Sequence, residues 1–258
     1  MIQRGSFETQ SYMWQFLFRK FRFSAKTDIK RLLVLFTNSK YKFKFLKLAP
    51  HSKSILKQDL FVFNELFDTQ TSNSYKKNFV EIGCGDGKFT SNTYLLENKL
   101  GWNGIVIEPG INWQEDIRKN RNCKLETVFI GAKSSKKIFY KEIVLGTKSD
   151  LAYLYSYDFN LINVDPSKAV EVLTLNDVLE KNSTPKYIDY LSITMEDWGP
   201  EVLKGLDFGE YSFGIITISH NHIHAKRVEA QNIILKNGYR RVFPELSFTD
   251  DWFVSIEK

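Results

Sequence analysis

From about residue 78 onward the chain alternates short apolar runs with amphipathic stretches. Strand-length runs at 79–83, 104–108, 125–130, 188–193 and 213–218 carry few polar side chains, as strands covered on both faces do. Stretches with helical spacing fall between or after them, at 90–100, 112–120, 174–181, 200–206 and 225–236. Thr174 or Asn176 is placed to cap the third of these, and Asn237-Gly238 to stop the last. Residues 136–144 and 170–173 add strands, and 239–243 and 252–256 predict two final strands that form an antiparallel edge. Alternating β and α elements predict an α/β fold, Rossmann-like, with a mostly parallel sheet and helices on both faces. Upstream, 10–36 reads as one or two helices, and 41–52 is interrupted by Pro50. A helix over 58–68 places Leu60, Phe61, Phe63, Leu66 and Phe67 on its apolar side, and 69–78 is a polar linker. The stretch 145–168 is irregular and contains Tyr153, Tyr155 and Tyr157. The predicted organisation is an N-terminal helical extension, 1–57, before a single α/β domain, 58–258.

In such sheets ligands lie at the carboxyl ends of the strands. The first of these ends is Phe-Val-Glu-Ile-Gly-Cys-Gly-Asp-Gly at 79–87. Gly83, Gly85 and Gly87 remove side chains where the chain turns tightly and a ligand touches backbone. The spacing is G-x-G-x-G, and Lys88 stands where the third glycine of a dinucleotide fingerprint would be. That argues against a pyrophosphate and for S-adenosylmethionine, which has no phosphate and carries a cationic amino group and sulfonium. Glu81 and Asp86 flank the turn with carboxylates, and Cys84 sits inside it. Glu108 follows the next strand, 21 residues after Gly87 and next to Pro109, near the offset of about 20 residues expected of an acid that bonds ribose hydroxyls. Gly131 and Ala132, after the third strand, are small enough to admit an adenine ring.

Two further strand ends carry ionisable groups. His220, His222 and His224 would share one face of an extended segment, as metal ligands could. No further ligand is identified by spacing, so no metal is assigned. His220 suits a general base better, since imidazole titrates near neutrality. Glu196 is the second candidate base; with Asp197 it could equally cap the helix that begins near Pro200.

The net charge of +6 is uneven: residues 1–60 hold 13 Lys/Arg and 3 Asp/Glu. Interleaved with them are Trp14, Phe16, Phe18, Phe21, Phe23, Phe36, Phe43 and Phe45. One reading is an accessory helical layer with its aromatics packed inward. The other is peripheral contact with an anionic membrane through residues 1–50; nucleic acid is not the expected partner. Cys84 and Cys123 form no metal spacing, no apolar leader is visible, and the apolar run 32–36 is too short to span a bilayer. A cytoplasmic location is the expectation.

Taken together, the segments resemble the FkbM-type methyltransferase family, which is class I and S-adenosylmethionine-dependent. They include residues 79–87, Ser91-Asn92-Thr93-Tyr94, and Gly101-Trp102-Asn103-Gly104 running on to Glu108-Pro109. Further on come Leu173-Thr174-Leu175-Asn176-Asp177, Ile188-Asp189-Tyr190-Leu191-Ser192-Ile193, Glu201-Val202-Leu203-Lys204-Gly205 and His220-Asn221. The resemblance implies methyl transfer to a hydroxyl of a small-molecule or glycan acceptor (a sugar, glycan or secondary metabolite). It also places Gln58 and Asp59 on the cofactor side. After the 188–193 strand the family pattern Asp-x-Glu-Gly-x-Glu has become Thr194-Met195-Glu196-Asp197-Trp198-Gly199, keeping only Glu196. The alternatives are therefore a protein that binds the cofactor but is catalytically altered, or a domain tethered to an anionic surface by its basic N-terminus.

Overall fold

The structure is a computed structural model that describes residues 25–67, 76–139, 141–145, 152–156, 169–195 and 198–256. Its strands, in chain order, are β1 (Asn78–Ile82), β2 (Asn103–Ile107), β3 (Lys124–Glu126), β4 (Phe129–Ile130), β5 (Ser135–Phe139) and β6 (Lys141–Leu145). They continue with β7 (Ala152–Ser156), β8 (Ala169–Leu173), β9 (Tyr187–Ile193), β10 (Ser212–Ser219), β11 (Tyr239–Val242) and β12 (Asp250–Ser255). The described helices are α1 (Ala25–Asn38), α2 (Lys42–Leu48), α3 (Gln58–Leu66), α4 (Tyr94–Leu100) and α5 (Ile111–Asn120), then α6 (Leu175–Lys181), α7 (Gly199–Lys204), α8 (His224–Lys236) and α9 (Pro244–Ser247).

Seven strands form the main sheet in the order β11-β12-β10-β9-β1-β2-β3. β1, β2, β3, β9 and β10 run parallel, and β12 runs antiparallel to both β10 and β11. The fold is thus α/β and Rossmann-like. Of the two final strands, β12 inserts between β10 and β11, so the edge strand β11 is parallel to the body of the sheet. Two expected strands each divide. The 125–130 run splits into β3, on the main sheet, and β4, which joins β8 and β5 in a second sheet. The fully buried Phe129 and Ile130 pack where α7 begins, whereas β3 is a partly exposed edge. The 136–144 run is β5 and β6, and β6 pairs with β7, which holds Tyr153 and Tyr155. Tyr157 lies outside the described residues.

Strand alternation divides the core into two layers. Val80, Ile82, Ile105 and Ile107 face the layer of α6, α7 and α8, with Val178, Leu203 and Ile234. Phe79, Val106 and Tyr190 face α3, α4 and α5, with Phe61, Leu95 and Trp113. Thr174 caps α6 with a full capping box, its hydroxyl accepting the Asp177 N–H. Leu35, Phe45, Leu48 and Leu56 belong to the second layer, and Asn64 Nδ2 donates to Leu35 O at 2.8 Å. The described part of the extension therefore packs onto α3.

The carboxyl end of β1 is held by one buried polar network. Alternation directs Glu81 to the α4 side, where it accepts from Ser91 Oγ (2.7 Å), Asn92 N (2.6 Å) and Thr93 Oγ1. Arg121, just past α5, approaches Glu81 at 3.4 Å and donates to Gly87 O (3.0 Å), Thr93 Oγ1 (2.8 Å) and Glu97. Burial works against the Arg121 charge, but Glu81 and Glu97 outweigh it and hold the guanidinium above its ordinary pKa. Breaking a buried pair from one side strands the other charge, at about 3–5 kcal/mol. Arg121→Met is expected to lose that much in chemical denaturation; a loss under about 1 kcal/mol would show that the network does not hold the turn.

Candidate functional site

The chain order reverses between β1 and β9, and that reversal opens a crevice outside the sheet. Gly83 leaves β1 here with φ +79°, followed by Gly85 at +56° and Gly87 at +76°. All three lie in the left-handed region that side chains disfavour. Their surroundings differ. A Cβ on Gly83 would sit 2.2 Å from the Thr194 carbonyl oxygen, whereas one on Gly85 would meet nothing within 4 Å. Gly83 is small because the ends of β1 and β9 touch. Gly85 is the open crest of the turn.

Glu108 stands at the end of β2, directly below that crest. Its carboxylate accepts the Gly85 N–H at 3.0 Å through one oxygen and the Gly110 N–H at 3.0 Å through the other. Pro109 is buried beside it. An ionised carboxylate is acceptor-only, which is the chemistry that the two hydroxyl donors of a vicinal diol require. Asp86 closes the turn from outside, accepting the Lys88 and Phe89 N–H groups at 2.8 and 2.7 Å. The Cys84 side chain turns into the core, and burial raises its thiol well above the ordinary range, so it is protonated. The donor set fits a ribose-bearing ligand: glycine backbone with open space above it, and a carboxylate at the neighbouring strand end.

The remaining candidates are placed as follows. Glu81 lies beneath the turn, its oxygens committed to the network around Arg121. Gln58 and Asp59 open α3. Gln58 Nε2 donates to Asp250 Oδ2 at 2.6 Å, joining α3 to the start of β12. Asp59 faces backward, accepting from Ser52 Oγ (2.7 Å) and Lys53 N (3.2 Å). The space that a side chain on Gly131 would need is filled by Val172 at 3.0 Å, and Gly205 packs against the Gly131 carbonyl. Gly131 and Ala132 follow β4 and so sit off the main sheet.

The histidines do not form an extended row. Asn221 and His222 take left-handed φ values of +45° and +62°, which turn the chain into α8. His220 is buried. Its Nδ1 accepts the His222 N–H at 3.1 Å, so Nε2 carries the proton and faces Asp250 O at 3.2 Å. Burial lowers its pKa. In this arrangement neither ring nitrogen offers a lone pair to a substrate, and His220 holds the β10–α8 turn against β12. Among the described residues no cluster of three or more His, Cys, Asp or Glu could hold a metal ion. Glu196 lies outside the described residues.

Sequence reasoning passed over three groups. Arg121 carries no motif around it. Asp250 stands in a polar stretch before the last strand. Asn92 belongs to a segment quoted for the resemblance, without a role; it joins Ser54 (2.7 Å) to Ser192 (3.0 Å) across the crevice floor.

The chain matches the family model described as the methyltransferase FkbM domain over residues 81–246, and it belongs to that family. No curated protein is detectably similar. Among solved structures, methyltransferase FkbM from Methylobacillus flagellatus KT is 11% identical, with 88% of this chain and 58% of that chain covered and a TM-score of 0.44. The chain thus spans 58% of that protein's length. The human methyltransferase 10 domain containing protein is 11% identical, with coverage of 79% and 84% and a TM-score of 0.40. The CurJ carbon methyltransferase is 11% identical, with coverage of 99% and 71% and a TM-score of 0.44.

Two predictions follow from the geometry. Gly83→Ala must displace a backbone carbonyl and is expected to lose well over 2 kcal/mol, whereas Gly85→Ala costs only the left-handed strain of about 1–2 kcal/mol. Equal losses in denaturant titrations would contradict the two surroundings. The second concerns Asp59, whose carboxyl is lifted by burial to about 6 from an ordinary 3.8. A raised folded value means that protonation favours folding. This contribution is complete below the unfolded value and lost as pH rises through about 6, on the order of 3 kcal/mol. Unfolding measured from pH 4 to 7 should show that fall in the parent and a flatter profile in Asp59→Asn; parallel profiles would contradict it.

Proposed function

We propose that this chain is an S-adenosylmethionine-dependent methyltransferase acting on a hydroxyl of a sugar, glycan or secondary metabolite. The observation that carries the reading is Glu108, seated against the Gly85 N–H at the end of β2. Its acceptor-only carboxylate suits the two ribose hydroxyls, and the glycine crest lets the rest of the ligand lie on backbone. When bound, S-adenosylmethionine supplies an electrophilic methyl group on a sulfonium. Glu108 is itself buried, so a ribose reaches it as the Gly85 turn opens; the positive φ values and the clear space above Gly85 make that turn the natural place to give. Thr194, just past β9, and Ser219, the last residue of β10, border the place an acceptor would occupy on this reading. The acceptor's hydroxyl proton needs a base as its oxygen bonds the methyl carbon. With both His220 nitrogens engaged by backbone, Glu196 is the base this reading assigns. The same engagement of His220 supports a second reading, cofactor binding without turnover.

Calorimetric titration with S-adenosylhomocysteine tests the proposal. Micromolar binding is expected, weakened about 10- to 100-fold in Glu108→Gln by the loss of charge-assisted hydrogen bonds. No binding by a folded parent protein would overturn the reading. Binding with no methylated product from a panel of hydroxylated acceptors would select the second one.

A further inference from the structure

The N-terminal helices bury one side and leave a particular chemistry on the other. On α2, Phe45 and Leu48 point into the core, while Phe43 is 73% and Leu46 58% exposed. Phe43 and Leu46 are three residues apart on a helix and so share its outward face. Lys42 and Lys47 lie on the two flanks of that face by the same periodicity, the Lys47 ammonium 4.5 Å over the Phe43 ring, whereas Lys44 turns toward the end of α3 with its ammonium 3.9 Å over the Phe67 ring. On α1, Arg31 and Leu35 are buried, and Ile29 and Leu33, one turn apart, are 54% and 57% exposed. Residues 28–57 contain eight Lys/Arg and one acid. Arg31 is buried beside that acid, Asp28, so the remaining seven, all lysines, stand unneutralised by acids of this segment.

We infer that the outer face of α1 and α2 docks on an anionic membrane surface. The argument is charge complementarity joined to apolar exposure. A protein partner would have to match both an apolar strip and a dense lysine rim. A bilayer interface supplies both at once, acyl boundary for Phe43, Leu46, Ile29 and Leu33 and anionic headgroups for the lysines. Lysine stems lie along apolar surface while the ammonium groups reach outward, which suits the flanking positions of Lys42 and Lys47. No described helix is long and apolar enough to cross a membrane, so the contact is peripheral. The surface belongs to α1 and α2, whereas the candidate cofactor residues stand at the carboxyl ends of β1 and β2, so the inference does not rest on the catalytic reading.

Co-sedimentation of the full chain with vesicles tests it, using phosphatidylcholine alone and phosphatidylcholine with 30% phosphatidylserine. Binding is expected to the anionic vesicles only, and to fall with added salt. Phe43→Asp with Leu46→Asp should weaken it at least tenfold, as should Lys42→Glu with Lys47→Glu, with thermal midpoints within a few degrees of the parent. No binding to anionic vesicles by the parent, or equal binding by the variants, would overturn the inference. So would a large fall in midpoint with vesicle binding unchanged, which would mean that another part of the chain covers the face. A dimer that the Phe43 and Leu46 changes convert to monomer, again with vesicle binding unchanged, would assign the face to a second copy instead.

Discussion

The buried charge pair of Arg121 and Glu81 is the constraint on which the site depends. Neither charge has water to stabilise it, so each must be satisfied by fixed protein groups. Glu81 is satisfied by Ser91, Asn92 and Thr93, and Arg121 by Gly87, Thr93 and Glu97. These partners run from the last glycine of the turn through the start of α4. The turn's shape is therefore set from below by electrostatics, and its glycines are free to serve what lies above. Packing adds one anchor from the same side, the Cys84 side chain in the apolar layer beneath the turn.

A second consequence follows from the same strand alternation. Glu81 pairs in register with Ser192, and Ser192 with Thr217, so three neighbouring strands each place a polar residue on one face, one or two residues below the strand ends. Asn92 Nδ2 reaches Ser192, and Tyr190 and Thr217 share a hydrogen bond of 2.7 Å. This satisfied polar row underlies the crevice and fixes the relative height of β1, β9 and β10. Positions that must be accurate to a fraction of an ångström for methyl transfer gain from such a rigid floor.

Much of the fold was legible because its signals are local. Apolar runs gave the strands of the main sheet, Thr174 marked the start of α6, and the glycine run marked the end of β1. What was not legible depends on distant partners. That β12 would insert between β10 and β11 is a matter of pairing, which apolar spacing does not encode. The split of 125–130 is of the same kind: Phe129 and Ile130 look like a continuation of β3 until β8 is available to pair with them. In the site, Glu108 was readable from its offset after the glycines. Arg121 was not, since its partners stand 24 to 40 residues upstream. For His220, side-chain identity carries no sign of what its nitrogens meet: here they face the backbone of His222 and Asp250.

On the proposed reading, Glu108 serves both the free and the bound protein. With no ligand, a carboxylate at a sheet edge needs donors, and the Gly85 and Gly110 N–H groups supply them. A ribose diol brings two hydroxyl donors to the same oxygens. If the Gly85 N–H is displaced it returns to solvent or to the ligand, because Gly85 has open space around it, and so the exchange leaves no buried donor unpaired. Gly83 could not play that part, since its N–H donates to Ile107 O at 2.9 Å and its Cα abuts Thr194. The two glycines look equivalent in the sequence. Their unlike neighbours make Gly83 the fixed end of the turn and Gly85 the end able to move.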